Sequence, residues 1–348
     1  MYKSRPKSML LALTKLIVSL SILMCFFGCE QAQVDEATRK VGQESHEESV
    51  TTPTIKEPVL GFSQLGSESE WRLANTSSIK NSAVESDVEL NFQNAEQSQE
   101  KQIEAIREFV KEKVDVIAIA PVVETGWEPI LKEVKQAGIP VIIIDRLVDV
   151  TDPSLYVTYI GSDFYEEGRK AGKYLLDKIP KSIKSVGIVE LKGTEGSTPS
   201  IARGKGFRDV ISSRSDLQFL KSENADFTVA KGKEVMKKFL QEKGREIRVL
   251  YSHNDDMTFG ALEAIEEYGL VPGKDIVVIT VDGTRKALEK MNEGKINLVV
   301  ECNPLLGPNL IQAVKEIVKG STLPKRIVTP ENVFTQVTAQ KEIASRSY

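Results

Sequence analysis

The sequence predicts an α/β protein built as two doubly wound parallel-sheet halves that face each other across a cleft. Three observations carry this. From residue 58 onward, short apolar runs alternate with segments of helical period. The runs are apolar at every position rather than every second one, as expected of strands covered on both faces. The pattern restarts after Tyr156–Ile160 without a Pro- or Ser-rich linker, so a second unit of the same kind follows the first.

The amino terminus stands apart from this body. Lys3, Arg5 and Lys7 precede an apolar stretch from Met9 to Phe27, which reads as an export signal rather than a folded element. It ends Phe26-Phe27-Gly28-Cys29, similar to a bacterial lipobox in which Cys29 would carry the lipid, with Phe26 where Leu is usual. Residues 1–28 are therefore expected to be a lipoprotein signal peptide. Residues 29–57, rich in Glu, Gln, Ser and Thr, are expected to be a disordered tether, because they hold too few apolar groups to offset the entropy of ordering. Cleavage before Cys29 removes Lys3, Arg5, Lys7 and Lys15 and no acid, taking the net charge from −4 to −8. An acidic protein argues against a nucleic-acid partner, which needs clustered Lys and Arg. After processing and lipidation of Cys29, Cys302 is alone, and His46 and His253 lie far apart, so no disulfide framework, metal site or cofactor is expected.

The elements follow in order. Val59-Leu60 starts a first strand that runs into the loop Gly61–Ser69, and a helix opens around Trp71-Arg72. Val88–Phe92 is strand-like. Ile103, Ile106, Val110 and Val114 then line one helical face. Val116–Ile119, a helix over Trp127–Gln136, the break Gly138-Ile139-Pro140 and the strand Val141–Ile144 complete the first half. In the second half a helix carries Ala171, Tyr174 and Leu175, and strands are expected at Val186–Leu191, Val249–Tyr251, Ile276–Val281 and Leu298–Val300. Helices are expected after Pro199 and over Ala230–Leu240, Met257–Tyr268, Arg285–Met291 and Leu306–Val318.

Polar clusters follow several strands: Asp145-Arg146, Gly193-Thr194-Glu195, His253-Asn254-Asp255-Asp256 and Asp282-Gly283. All fall at carboxyl ends, where open α/β sheets bind ligands. Each has a simpler structural explanation by itself. Asn254 or Asp255 could cap the next helix, and Asp145 with Arg146 could be an ion pair worth about 0–1 kcal/mol. Their convergence on one edge favours a common cleft. Glu68, Trp71 and Arg72 add an acid, an indole and a guanidinium at the first strand's end. Charged partners strengthen hydrogen bonds to hydroxyls, and an indole can cover the apolar face of a sugar ring.

These residues make the chain similar to the type I periplasmic sugar-binding proteins of ABC transporters, closest to the galactofuranose-binding branch and more distantly to the ribose-binding one. The resemblance lies in Val59–Gln64 with Gly66-Ser67-Glu68-Ser69 and Trp71-Arg72, Ile119–Val123 with Thr125–Pro129, Asp145-Arg146, Asp226-Phe227-Thr228, Lys231–Met236, His253–Met257 and Asp282-Gly283, and it spans residues 58–348. It implies two lobes joined by a three-segment hinge, one from 58–161 and 303–330, the other from 162–302 and 331–348. It also implies that Glu68, Trp71, Arg72, Asp145 and Arg146 meet a monosaccharide from the first lobe. Phe227, Asn254 and Asp282 would meet it from the second, with Thr194, Ser200 and Arg203 in a pocket-lining loop. That loop, notably Glu195 and Pro199, and the hinge Glu301–Pro304 depart from the branch. By resemblance the protein would be a monomer in the periplasm or at the cell surface, anchored by lipidated Cys29 and delivering a sugar such as galactofuranose to a permease. The same lobes could instead present a sugar to a chemoreceptor or histidine kinase.

An enzyme is not expected. Ser77-Ser78-Ile79-Lys80 matches Ser-x-x-Lys, but no accompanying Ser-Asp-Asn or Lys-Thr-Gly follows, and the match falls within an expected helix. No Gly-x-Ser-x-Gly or phosphate loop is present. A repressor of the same fold would need a basic helix-turn-helix where the signal and tether stand.

Overall fold

The structure, a computed structural model, describes residues 57–348. The expected signal peptide, Cys29 and nearly all of the tether lie outside the described residues.

The first sheet is formed by β1 (Val59–Gln64), β2 (Glu89–Asn94), β3 (Val116–Ile119), β4 (Val141–Ile144), β5 (Thr158–Gly161) and β11 (Arg326–Val328). The second is formed by β6 (Val186–Lys192), β7 (Leu217–Asn224), β8 (Ile247–Ser252), β9 (Val277–Asp282), β10 (Leu298–Glu301) and β12 (Val333–Phe334). The strand orders are β11-β5-β4-β3-β1-β2 and β12-β10-β9-β8-β6-β7. Every pairing is parallel except β10 with β12. In each sheet the first strand of the half lies between the second and the third, so the winding reverses there and opens a crevice at the carboxyl ends. The helices are α1 (Glu70–Glu85), α2 (Gln99–Glu112), α3 (Glu128–Gln136), α4 (Phe164–Lys178), α5 (Thr198–Ile211), α6 (Val229–Lys243), α7 (Asp255–Glu267), α8 (Arg285–Asn292), α9 (Gly307–Val318) and α10 (Gln336–Ser345). The chain passes between the sheets after β5, after β10 and between β11 and β12.

Three of the central strands, Val116–Ile119, Val141–Ile144 and Leu298–Glu301, are buried at every residue, in keeping with their apolar runs. The strands that the sequence hid are of another kind. β7 reads Leu-Gln-Phe-Leu-Lys-Ser-Glu-Asn and is mostly half-buried. As an edge strand it has one neighbour, so polar residues are tolerated there and the apolar signal is lost. β11 and β12 span three and two residues, too few for any period to show. α10 carries only one buried residue, Ala339.

One packing feature positions the site. Helices α4 and α5 cross at glycines. A Cβ on Gly168 would lie 2.1 Å from the Arg203 carbonyl oxygen, and one on Gly206 would lie 2.1 Å from that of Tyr165. This approach of backbones brings Glu167 of α4 against Arg203 of α5. We predict that Gly206→Ala lowers stability by about 1–3 kcal/mol through overpacking, although the same change on an open helix would raise it by up to about 1 kcal/mol. Urea titration should show an earlier midpoint; an unchanged or later one contradicts the packing.

Candidate functional site

Ser69 ends the loop after β1 as the N-cap of α1, its hydroxyl accepting from the Arg72 backbone N–H at 3.1 Å. The cap sets the first turn so that Arg72 points back over the strand end. Its Nε donates to Glu68 Oε1 at 3.3 Å, and its Nη2 lies 2.6 Å from Asp145 Oδ2, a close ion contact out of line for a hydrogen bond. Asp145 follows β4 at φ 63°, a left-handed conformation that Asp tolerates better than most residues. Arg146 next to it donates through Nη1 to the Val122 carbonyl at 2.7 Å and places its guanidinium 5.2 Å from the centre of the Phe227 ring.

The second lobe meets this group from the other side. Arg203 Nε donates to Glu167 Oε2 and its Nη1 to the His253 carbonyl, each at 2.6 Å, leaving Nη2 3.9 Å from Asp282 Oδ1. Asn254 does both things that the sequence left open. Its Oδ1 caps α7 by accepting from Met257 N–H at 3.0 Å, and its Nδ2 donates to the Phe227 carbonyl at 3.3 Å while the side chain lines the cleft. Phe227 sits at φ 60° and Asp282 at φ 123°. Such a backbone is costly for a bulky aromatic, and strain of this kind concentrates at ligand sites.

These groups surround one small cavity. Glu68, Trp71, Arg72, Asp145, Arg146, Arg203, Phe227, Asn254 and Asp282 line it, together with Ser69, Phe164, Pro199 and Cys302. Thr194 and Ser200 are not among the lining residues. The Ser200 hydroxyl turns to the Gly193 carbonyl at 3.4 Å, and Ser197 Oγ donates to the Thr194 carbonyl at 2.7 Å, while the Thr194 hydroxyl is buried without a partner in the protein. The loop instead reaches the first lobe at its edge: Thr198 Oγ1 accepts from Leu147 N–H and the Gly196 carbonyl from Glu124 N–H, both at 3.0 Å. Trp71 spans the lobes as well. It packs in the apolar cluster of the second lobe, and its Nε1 donates to the Cys302 carbonyl at 2.6 Å. The Ser-x-x-Lys match is structural: Ile79 is buried, and Ser78 Oγ accepts from Gly307 N–H at 3.1 Å.

The cavity balances charge. Arg72, Arg146 and Arg203 face Glu68, Asp145 and Asp282. Burial pulls the Arg72 guanidinium down, but Asp145 and Glu68 outweigh it and hold it above its usual value. Burial and then Arg72 bring Arg146 down to about 10, which leaves it cationic at neutral pH. Burial and then Asp255 push the Asp282 carboxyl well up. Arg72 Nη1, Arg146 Nε and Asp282 Oδ2 are buried without a hydrogen-bond partner in the protein. Two donors and an acceptor thus face the cavity uncommitted, in a region without net formal charge. Hydroxyl groups can satisfy both kinds, because each donates and accepts.

The family model for the periplasmic binding protein domain matches residues 60–322. The chain belongs to that family. It is 41% identical over 290 residues to the galactofuranose-binding protein YtfQ of Escherichia coli (strain K12), covering 82% of this chain and 91% of that one. A Mycobacterium smegmatis structure in complex with β-D-fucofuranose is 47% identical, with a TM-score of 0.80, covering 83% of this chain and 97% of that one. The periplasmic binding component of the arabinose ABC transporter from Shewanella sp. ANA-3, bound to α- and β-L-arabinofuranose, is 45% identical with a TM-score of 0.80, covering 83% and 95%. The family's fold, two α/β lobes, is the one described above, and its members at this level of identity are sugar-binding proteins rather than enzymes. As a periplasmic sugar-binding protein, the chain has no need of a catalytic residue in its cleft.

Behind Asp282, a second feature was only half legible. Asp255 Oδ2 accepts from the backbone N–H groups of Gly283 and Thr284 at 3.0 and 2.8 Å, and its Oδ1 accepts from Thr280 Oγ1 at 2.9 Å. It pins the loop that aims Asp282. Asp256 Oδ2 crosses the cleft to accept from Glu70 N–H at 3.2 Å. Burial, then the Asp255 charge, push Asp256 up to about 7. A carboxyl raised in the folded state stabilises fully below its unfolded pKa of about 3.9 and loses that contribution as pH rises toward the folded value. Asp256→Asn keeps an oxygen for Glu70 N–H and removes the charge. Its melting temperature should exceed the wild type's at pH 8, with the gap closing by pH 4. A gap that is the same at both pH values contradicts this assignment.

Proposed function

We propose that this protein is the substrate-binding component of an ABC sugar importer and that it clasps one monosaccharide in its furanose form, galactofuranose or a close relative, between its lobes. The observation that carries the reading is the set of uncommitted, buried donor and acceptor atoms on Arg72, Arg146 and Asp282, facing one small cavity from both lobes. Solved relatives that hold fucofuranose and arabinofuranose support the ring form, and the arabinose transporter component supports transport.

In this reading Arg72 and Arg146 donate to ring hydroxyls and Asp145 and Asp282 accept from them, while Phe227 and Trp71 cover the apolar faces of the sugar. A site that hydrogen-bonds each hydroxyl rejects analogues that lack one, because its own buried groups would go unpaired. Contacts from both lobes supply the differential affinity that favours closure. The closed protein then offers its rim to a permease. We infer further that the signal is processed at Cys29, so that a lipid and the acidic tether hold a monomer at the membrane.

Thermal-shift screening of the mature protein with L-arabinose, D-fucose and D-galactose tests the class, since a ligand of the native state alone raises its melting temperature. Arg146→Ala and Trp71→Ala should each weaken binding of the best of these at least tenfold, as loss of a charged hydrogen bond costs about 1.5–3 kcal/mol. Circular dichroism should remain that of the wild type. Unchanged affinity in both variants would remove the cleft as the sugar site.

A further inference from the structure

Beside the cavity, the three crossing segments bring together side chains that the sugar contacts do not use. Ser162 follows β5, Asn303 follows β10, and Thr329 and Glu331 lie between β11 and β12. Glu331 Oε1 accepts from the Ser162 hydroxyl, from Asn303 N–H at 3.4 Å and from the Thr329 hydroxyl at 3.4 Å. One donor from each segment therefore ends on a single carboxyl oxygen. Glu167 of α4 faces it, fully buried. Its Oε2 is held by Arg203 at 2.6 Å, and its Oε1 has no partner. The two carboxyl groups lie within hydrogen-bonding reach of each other. With the Cys302 thiol, their ligand-type atoms fall within 4.8 Å of one another. Two carboxylates so close and so little hydrated do not both ionise readily. A proton fits between them better than a metal ion does, because the Arg203 guanidinium already stands against Glu167 and would repel a second cation.

We propose that Glu167 and Glu331 share one proton while the lobes are together and release it when they part, so that closure on ligand takes up a proton. The proposal rests on the reading that the lobes close on a sugar. Hinge motion is absorbed by backbone rotation in a few connecting residues. Ser162, Asn303 and Glu331 sit on three different connections, so their meeting at one oxygen does not survive that rotation. Parted, Glu331 regains water and an ordinary carboxyl pKa of about 4.3. Together, burial and then the Glu167 charge push it up to about 9, against the pull of the Ser162 hydrogen bond. The closed form is thus the better proton binder, and its advantage is lost as pH rises from the lower value toward the upper.

Other charged or titratable groups face the pair. Arg203 on α5 favours the ionised form and Asp282 at the end of β9 opposes it. Cys302, after β10, has its thiol pushed well up by burial and then by Glu167. Tyr159 on β5 donates to the Ser162 carbonyl at 3.0 Å, and Tyr251 on β8 lies behind Arg203; burial raises both. Lys170 on α4 donates to the Glu331 carbonyl at 3.0 Å, and Arg326, 3.9 Å from Asp163, flanks the first segment.

Calorimetry with L-arabinose at pH 7, in two buffers of different ionisation enthalpy, counts the protons. Uptake of close to one proton per sugar is expected, with affinity falling by up to about tenfold per pH unit from pH 6 to pH 8. Glu331→Gln, whose amide can donate to Glu167 as the shared proton does, should keep the pH 6 affinity, take up no proton and lose the pH dependence. Sugar binding without proton uptake overturns the proposal, as does uptake that persists in Glu331→Gln and vanishes in Asp256→Asn. If L-arabinose, D-fucose and D-galactose all give no heat, the sugar reading fails; the shared proton then belongs to the arrangement in which Ser162, Asn303 and Glu331 meet without ligand, and ligand-free unfolding decides it. Glu331→Gln should then gain melting temperature over the wild type at pH 8 relative to pH 6, and an equal difference at both pH values overturns it.

Discussion

The structure depends on how it keeps charge out of water. Arg72, Arg146, Arg203, Glu68, Asp145 and Asp282 line a single cleft, and all but the half-buried Glu68 are buried. Burying an unpaired ion is far costlier than burying a matched pair, and even a matched pair is not a strong source of stability. The arrangement is therefore poorly explained as a stabilising device. It makes sense as a set of directional groups, mutually neutralised so that none drives away an uncharged ligand. The contact at 2.6 Å between Arg72 and Asp145 joins α1 to the end of β4 in this task, and Arg203 with Glu167 at the same distance joins α5 to α4.

Local strain has a place in the same economy of structure. Asp145, Phe227 and Asp282 all have positive φ values; the first two follow directly or closely on a strand of their sheets, and Asp282 is the last residue of one. A side chain after a strand in ordinary extended conformation would continue the pleat and alternate between faces. The left-handed turn re-aims it over the strand end. Such conformations persist where the surroundings over-determine them; here Asp255 holds the Asp282 loop, and the 2.7 Å bond from Ala225 N–H to the Lys192 carbonyl holds the approach to Phe227.

Much of this was legible in the sequence because parallel strands must be apolar throughout and their polar followers must gather at one edge. Arg72, Asp145, Asn254 and Asp282 are of that kind. What was not legible depends on contacts between distant segments. Phe164 gives no local signal of lining a cleft, since it follows an ordinary Asp163 cap. Glu167 reads as an acid in a first helical turn, a favourable place beside the helix dipole, and only the crossing of α4 on α5 reveals its bond to Arg203. Thr194 and Ser200 show a further kind. A small hydroxyl residue in a loop carries no sign of which way it faces: the Ser200 hydroxyl turns to the Gly193 carbonyl, and the Thr194 hydroxyl is buried without a partner in the protein.

The central claim is that groups from both lobes hold one neutral sugar in this cleft. The most direct measurement is a crystal structure of the protein grown with D-fucose. The account predicts a single furanose ring beside Phe227, its hydroxyls bonded to Arg72 and Arg146 on one side and to Asp282 on the other. A sugar bound elsewhere, or held by one lobe with the arginines turned away, would contradict it.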